Sequence, residues 1–360
     1  MKKNKKGEKP QSILMVSRIL DSKDPVGSFT QRWAEVLAKK VDRLYFICLE
    51  AYDVTVKADN FEYYSMGKEK GYGRFRLLIN YYRYLFRLMG KVDGFFGHMN
   101  SLYSILAFPV ARLYKVKIVS WVAHMNMNIT IKLNSHLSDI MITASQESLD
   151  VNPKKKKVLG HGIDVSRFKR DGNIDREKKI VTVGRITPVK DNETLINSVY
   201  MIANLLREKK WKVKIVGSSS TPESKKYKGD LLKLIDELNV SDLIDFVKPV
   251  ANSQIPELLN SSSMFVNMQS KGGAGKAVLE SMATETITVL CTDTFNDHLG
   301  EELTDLLIFK EKDPKSLAEK LKRIIYLDEK RSKEMGVKLR DIVQKHHNLD
   351  TLMDKIISLY

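Results

Sequence analysis

Residues 180–196 read Ile-Val-Thr-Val-Gly-Arg-Ile-Thr-Pro-Val-Lys-Asp-Asn-Glu-Thr-Leu-Ile. A short run rich in β-branched residues leads into a glycine, then a loop, and then a segment of helical character from about Asn192. A buried strand followed by a loop and a helix is the repeating unit of a parallel sheet covered by helices. Since ligands of such sheets bind at the carboxyl ends of the strands, the stretch predicts a binding edge at Gly184.

The same alternation of short apolar runs and longer helical segments occurs twice along the 360 residues. The predicted strands are 13–17, 44–48, 94–96, 117–122 and 140–143 in the first half, and 180–183, 213–216, 244–247, 264–266 and 287–290 in the second. A chain of this length favours two cores over one. The predicted fold class is α/β, with two Rossmann-like, doubly wound parallel-sheet domains that face each other across a cleft.

Local signals predict where these domains begin and end. Residues 1–11 predict a basic flexible tail, and a proline with four lysines at 152–157 precedes a boundary near 165–175. We therefore expect domains over 12–165 and 175–345. Asp313-Pro314 is typical of a helix N-cap with proline in the first turn, which opens a helical stretch reaching Tyr360. Residues 346–360 are expected to form a C-terminal helix that packs back towards the N-terminal domain.

Composition narrows the classes of partner and compartment. The chain has 60 Lys and Arg against 44 Asp and Glu, a formal charge of +16, which favours contact with an anion. The two cysteines, Cys48 and Cys291, lie far apart in apolar segments, so neither a disulfide framework nor a zinc site is indicated. The apolar run 13–16 is too short for a signal peptide or a membrane span. A cytoplasmic location is expected.

Two cations follow the strand at 180–183. Gly184 allows a sharp turn, and Arg185 and Lys190 can converge on an anion at the carboxyl edge of the strand. Arginine offers a planar fork to phosphate oxygens and lysine offers a compact charge, so the pair suits a diphosphate. Solvated basic residues after a glycine turn are the alternative interpretation.

A glycine-rich segment, Ser-Lys-Gly-Gly-Ala-Gly-Lys-Ala-Val-Leu-Glu at 270–280, opens a second helix. Unpaired backbone N–H groups at such a helix start bind phosphate, which makes Gly273, Gly275 and Lys276 candidate ligands. Glu280 is placed one turn further on to accept hydrogen bonds. The segment also imitates an ATP-binding P-loop, but Ala277 stands where Ser or Thr must hold Mg²⁺.

Three motifs in this order resemble glycosyltransferase family 4. They are Gly-Arg-x4-Lys at 184–190, Leu-Glu-Ser-Met-Ala at 279–283, and Gly-Ile-Asp-x2-Arg-Phe at 162–168. The resemblance covers about 158–345 and is weaker before that. It implies the GT-B fold, an acceptor-side domain over 12–165, a nucleotide-sugar-binding domain over 175–345, and transfer with retention at the anomeric carbon.

The resemblance also implies roles for individual residues. Arg185 and Lys190 would neutralise the donor diphosphate as the glycosidic bond breaks, and Glu280 would bind the ribose. The family's first glutamate should stand at position 272, where this chain has Gly272. Lys276 is a candidate to compensate for that missing carboxylate.

In the first domain the resemblance implies two further site residues. Gly27 lies in the loop after the first strand, where small residues let donor and acceptor approach, and His124 follows the strand at 117–122, facing the donor sugar. The first domain has no Asp-x-Asp pair at a strand end, so no metal is expected. No cofactor is expected either, because the nucleotide-diphosphate sugar is itself the donor substrate.

Residues 74–91, which begin with Arg74 and end with Lys91, combine basic and aromatic residues in a helical pattern. Such a helix can lie on an anionic membrane surface, although a core helix with solvated arginines fits the same pattern. A peripheral location on the inner face of the membrane would suit a lipid-linked acceptor. The basic residues follow no recognised nucleic-acid motif, so no specific nucleic acid is expected.

The sequence therefore predicts a metal-independent, hexosyltransferase-type enzyme that moves a sugar from a nucleotide-diphosphate donor to a saccharide or lipid-linked saccharide. Two alternatives stay open: a nucleotide-sugar epimerase of similar fold, and a non-catalytic protein that binds sugar nucleotides or anions, because Gly272 replaces a glutamate. A nicotinamide oxidoreductase is disfavoured, since the loop after the first strand lacks Gly-x-Gly-x-x-Gly.

Overall fold

The computed structural model describes residues 12–24, 27–123, 127–146, 148–269, 275–292 and 295–360. The chain divides into two compact units. One consists of Met1–Gly162 together with Asn348–Tyr360, and the other of Ile163–His347. Each unit has its own parallel sheet, which confirms the predicted α/β class with two parallel-sheet domains. The basic tail predicted for 1–11 lies outside the described residues.

The first unit is built on a seven-stranded parallel sheet with strand order β3-β2-β1-β4-β5-β6-β7. Its strands are β1 (Ser12–Leu20), β2 (Arg43–Ala51), β3 (Phe61–Ser65), β4 (Gly94–His98), β5 (Lys117–Trp121), β6 (Ile140–Thr143) and β7 (Lys156–Val158). Its helices are α1 (Phe29–Ala38), α2 (Arg74–Leu88), α3 (Ser101–Tyr114) and α4 (Ile129–Leu137). A helix from the far end of the chain, α13 (Leu349–Ile357), completes this unit.

Alternation along β1 assigns the helices to opposite faces of this sheet. Ile13 and Met15 pack in one core cluster with α1 and α13. Leu14 and Val16 pack in another with α2 and α3. On that second face α4 lies beside α3. The buried hydroxyl of Ser120 in β5 forms hydrogen bonds with Ser104 of α3 and Asn134 of α4. Helices α2, α3 and α4 therefore lie side by side on one face.

Two strands of this sheet are absent from the sequence prediction. β3 (Phe-Glu-Tyr-Tyr-Ser) is a half-buried edge strand, and β7 (Lys-Lys-Val) is an edge strand with little buried surface. β7 begins within the proline-and-lysine stretch at 152–157 that precedes the predicted domain boundary, and it pairs in parallel with β6. Both are held by backbone hydrogen bonds at a sheet edge, where a hydrophobic pattern is not required.

The second unit has a five-stranded parallel sheet with strand order β10-β9-β8-β11-β12. Its strands are β8 (Glu177–Val183), β9 (Lys212–Val216), β10 (Ile244–Val247), β11 (Ser262–Asn267) and β12 (Ile287–Leu290), each overlapping a predicted strand. Its helices are α5 (Asn192–Met201), α6 (Ala203–Lys209), α7 (Pro222–Glu237), α8 (Ile255–Asn260), α9 (Lys276–Ala283), α10 (Asn296–Leu307), α11 (Pro314–Ile325) and α12 (Glu329–His346).

The helical C-terminal stretch begins as its sequence signal indicates. The Asp313 carboxylate accepts a hydrogen bond of 3.0 Å from the Ser316 N–H, with Pro314 in the first turn of α11. Helix α13 then packs in the first unit, where Leu352 and Ile356 are buried against α1. The Tyr360 hydroxyl donates to the Phe95 carbonyl at 2.9 Å and secures the end of this segment.

Truncating a core side chain of α13 should destabilise the first unit. We expect Ile356→Ala to lower its unfolding free energy by about 2–5 kcal/mol, because Ile356 is fully buried and its removal leaves a cavity. Urea unfolding followed by tryptophan fluorescence measures this, since Trp33 and Trp121 lie in the same cluster. The exposed neighbour Lys355→Ala is the control, and an equal loss in both variants would contradict the prediction.

Candidate anion-binding site of the second unit

The first component of the site is the close approach of two strand ends. The two backbone segments that follow β8 and β9 stay hydrogen-bonded to each other. The Gly184 N–H donates to the Val216 carbonyl at 3.0 Å, and the Ile186 N–H donates to the Ser218 carbonyl at 2.9 Å. Gly217 lies so close to this crossing that a Cβ there would overlap the Gly184 carbonyl. Two glycines thus hold the loop that carries Arg185 at the carboxyl edge of the sheet.

Lys190 reaches back across Gly184 towards the neighbouring strand end. It closes the short 3-10 turn Pro188–Lys190, and its Cε would lie 3.3 Å from a Cβ on Gly184. Its ammonium donates to the Gln269 Oε1 at 2.7 Å, just beyond the end of β11. Burial, and then the nearby Arg185 charge, lower the pKa of Lys190 below its usual value of 10.5.

Arg185 and Lys190 are two like charges held near each other. Arg185 is exposed and Lys190 is half-buried. Within the part of the chain that the structure describes, neither forms an ion pair with a carboxylate. In the empty site the two cations repel each other and no carboxylate offsets this repulsion. A bound anion would offset it, so the arrangement is suited to binding an anion.

The second component is the start of helix α9. Gly275 precedes its first turn, and Lys276 and Glu280 lie one turn apart, both half-buried. Burial raises the pKa of Glu280, while Lys276 and Arg167 act in the opposite direction. Burial also lowers the pKa of Lys276, and Glu280 opposes that shift. Burial outweighs the two cations, so the pKa of Glu280 lies above its usual value, unlike that of a solvated surface glutamate.

The structure adds two residues that pattern reasoning did not place in the site. Arg167 appeared only within a family-like motif, yet its charge acts on Glu280 and its guanidinium donates to the Asn252 carbonyl. Gln269 had no sequence signal beyond its position after a predicted strand, and here it accepts from Lys190. Gly184, Arg185, Lys190, Gln269, Gly275, Lys276, Arg167 and Glu280 all belong to the second unit.

Three residues singled out in the sequence fall outside the described residues: His124, Gly272 and Gly273. Gly27 is described and lies in the loop after β1 of the first unit, where its N–H donates to the Asp24 carboxylate. A Cβ at Gly27 would overlap Ile19, so only glycine fits the observed loop.

The carboxyl edge of the first unit's sheet has its own charge network. Glu50, buried at the end of β2, forms ion pairs with Arg18 at 3.3 Å and with Lys68 at 3.2 Å. Arg18 also pairs with Asp24 at 3.3 Å in the loop that contains Gly27. A partly buried network of carboxylates and cations can exchange hydrogen bonds with the hydroxyls of a polar ligand.

The described residues contain no group of three or more His, Cys, Asp or Glu side chains placed to hold a metal ion. Across those same ranges, no helix combines the length and apolar composition needed to cross a bilayer.

Comparison with solved structures identifies the fold as GT-B, the fold of a large class of glycosyltransferases. HepE from Anabaena in complex with UDP superposes with a TM-score of 0.75, covering 97% of this chain and 99% of that chain at 14% identity. Sucrose-phosphate synthase from Thermosynechococcus elongatus gives 0.72 at 14% identity, covering 97% and 98%. Trehalose-6-phosphate synthase OtsA gives 0.66 at 11%, covering 96% and 98%.

Residues 164–338 match the model of the family described as "Glycosyl transferases group 1". This range contains every described element of the site in the second unit. It confirms the glycosyltransferase resemblance drawn from the motifs, while the narrower family 4 label stays a prediction. A search of curated protein sequences found no significant match.

The crossing of Gly184 and Gly217 should tolerate no side chain. We expect Gly217→Ala to lower the unfolding free energy by about 1–3 kcal/mol, because the new methyl would meet backbone rather than a movable side chain. Gly229→Ala is the matched control, because its added Cβ meets open space within helix α7, and it should raise stability by about 1 kcal/mol. Urea unfolding measures both, and equal effects would contradict the crowding seen at Gly217.

Proposed function

We propose that the protein is a glycosyltransferase that moves a sugar from a nucleotide-diphosphate donor to a saccharide or lipid-linked saccharide acceptor in the cytoplasm. The observation that carries the proposal is the Lys190 ammonium, half-buried beside Arg185 and bonded to Gln269 at the carboxyl edge of the second sheet. The match of residues 164–338 to the glycosyltransferase family model and solved GT-B structures that hold UDP and UDP-glucose support it.

Arg185 and Lys190 would bind the donor diphosphate. When the bond from the sugar to the diphosphate breaks, negative charge accumulates on the leaving phosphate. Cations that are already in position stabilise this charge without reorganising at the moment of reaction. Because Lys190 is partly desolvated, its charge interacts more strongly with a phosphate than that of a surface lysine would.

Helix α9 would bind the rest of the donor. Gly273, Gly275 and Lys276 are proposed to contact its phosphates or sugar at the helix start, and Glu280 to accept hydrogen bonds from the ribose hydroxyls. Lys276 and Arg167 favour the ionised, accepting form of Glu280 against the effect of burial. The lysine at position 276 would also take over part of the donor-sugar contact that a glutamate at 272 would provide.

Retention at the anomeric carbon and independence from metal are also part of the proposal. The departing phosphate can itself accept the proton of the acceptor hydroxyl, so the mechanism needs no separate protein base. Arg185 and Lys190 supply the positive charge that a divalent cation would otherwise supply. On the first unit, Gly27 is proposed to leave room for the substrates and His124 to contact the donor sugar.

Donor binding can be tested with a thermal-shift screen against UDP, GDP, ADP and their sugar conjugates. We expect one nucleoside diphosphate at 100 times its Kd to stabilise the protein by about 2.7 kcal/mol. Arg185→Ala and Glu280→Ala should lose most of this shift, because each removes one contact to the nucleotide. The shift should persist in EDTA.

The matched controls are Lys225→Ala and Glu237→Ala, which remove exposed charges on helix α7. They should keep the full shift. Stabilisation by ATP with Mg²⁺ alone would instead favour a P-loop. Turnover of the bound nucleotide sugar without any acceptor, giving an isomeric sugar, would favour an epimerase. Donor binding with no transfer to any saccharide would favour a non-catalytic binding protein.

The lowered pKa of Lys190 predicts proton uptake when the diphosphate binds. Above that pKa the free protein holds part of its Lys190 population neutral, and the bound anion raises the pKa and draws a proton back. Affinity should therefore fall as the pH rises towards 10.5, the usual pKa of lysine. Titration calorimetry in alkaline buffers of different ionisation enthalpy measures the uptake.

Lys190→Arg distinguishes proton uptake by this lysine from uptake by other groups, since arginine keeps its charge over this pH range. Uptake should decrease in Lys190→Arg and stay unchanged in the exposed control Lys225→Arg. Some uptake should remain, because burial also lowers the pKa of Lys276. Proton release on binding, or equal uptake in all three proteins, would contradict the assignment of Lys190 to the diphosphate.

A further inference from the structure

We propose that the outer side of helices α2, α3 and α4 in the first unit docks onto an anionic lipid surface. The proposal goes beyond the sugar-transfer reaction and concerns only the first unit. We call this surface the outer face and define it by its exposed apolar side chains: Phe75, Ile79, Phe86, Leu102, Leu113, Ile129 and Leu133.

Helix α2 has two distinct apolar sides. Tyr81, Leu85 and Leu88 are buried against the sheet. At roughly 100° per residue, Phe75, Ile79 and Phe86 fall on one line along the opposite side of the helix. Phe75 is 79% exposed and Phe86 52% exposed, so this second stripe serves no purpose in the core of the unit.

The next two helices extend the stripe. On α3, Leu102 and Leu113 are eleven residues apart and fall on the same side of the helix, with 47% and 69% exposure. On α4, Ile129 and Leu133 are one turn apart, and Ile129 is 84% exposed. Since the three helices lie side by side on one face of the sheet, their exposed apolar residues form a broad surface rather than isolated positions.

The charge around the outer face indicates which kind of partner would bind there. Residues 70–138, which include all three helices, contain ten Lys and Arg but a single acidic residue, Asp93. Along α2, Arg76, Arg83 and Arg87 border the exposed apolar stripe. Among the described residues, no arginine of α2 forms an ion pair. Arginines beside exposed aromatic and aliphatic side chains match the headgroup and acyl layers of an anionic membrane.

This combination distinguishes a lipid surface from other anionic partners. A nucleic acid would be bound by the cations, but it would leave Ile129 and Leu113 exposed to water. A second copy of this chain would cover the apolar side chains, but it would bring the same unpaired arginines together. A bilayer buries the apolar side chains and pairs the arginines at once, and it would bring the protein to a lipid-linked acceptor.

Flotation with vesicles tests the proposal in the full-length protein. We expect wild type to float with phosphatidylcholine vesicles that contain phosphatidylglycerol, and to float poorly with phosphatidylcholine alone. The triple variant Phe75→Ser/Ile79→Ser/Phe86→Ser should bind the anionic vesicles about tenfold more weakly or worse. Arg83→Gln/Arg87→Gln should weaken binding most at low salt, because exposed charges are screened as salt increases.

Matched variants of the second unit serve as controls. Leu232→Ser/Tyr326→Ser removes exposed apolar side chains there, and Lys225→Gln/Lys226→Gln removes exposed charges; both should float as wild type does. All changed side chains are exposed, so thermal midpoints should stay close to that of wild type. The nucleotide-induced thermal shift should also be unchanged, which separates failure of membrane docking from failure of the proposed donor site.

A site-specific readout distinguishes insertion from simple attraction. Phe75→Trp should add fluorescence that shifts to the blue with anionic vesicles, whereas Leu232→Trp should not. Absence of flotation at low salt would overturn the proposal. So would binding to an RNA homopolymer as tight as binding to vesicles and unaffected by the triple apolar substitution. A dimer that the triple variant dissociates, without vesicle binding by wild type, would overturn it as well.

Discussion

The candidate site depends on the contact of two backbone turns at the carboxyl ends of neighbouring strands. β8 and β9 stay hydrogen-bonded past their last strand residues, so the Gly184 carbonyl lies against Gly217. This contact fixes the path of the loop that carries Arg185 and the turn that carries Lys190.

The second consequence of that contact is electrostatic. Lys190 folds back over Gly184 and meets Gln269, a neutral acceptor, instead of a carboxylate. The amide satisfies a hydrogen bond of the ammonium without cancelling its charge. At helix α9 a carboxylate is present, since the charges of Lys276 and Arg167 act on Glu280 against the larger effect of burial. The site thus combines a cationic part that has no carboxylate partner with a part in which a carboxylate faces cations.

The sequence predicts the fold best where a buried strand has apolar side chains on both faces. β8, β11 and β12 of the second sheet are of this kind, and all three were predicted. β3 and β7 were missed because these edge strands are held by backbone hydrogen bonds, which do not require a characteristic pattern of side chains. Within the site, Arg185 and Lys190 were found from their spacing after a strand. Gln269 was not, because a neutral side chain in a loop acquires its role only when β8 and β11 become neighbours.

Helix α13 has a consequence for biosynthesis. Its side chains complete a core whose other members end near residue 159, yet they are translated only after the whole second unit. The first unit therefore leaves the ribosome with an apolar groove along α1, and that groove stays open while nearly two hundred residues of the second unit are made. During that interval the groove offers chaperones a defined binding surface. The first unit can complete its core only after residue 357 has been synthesised.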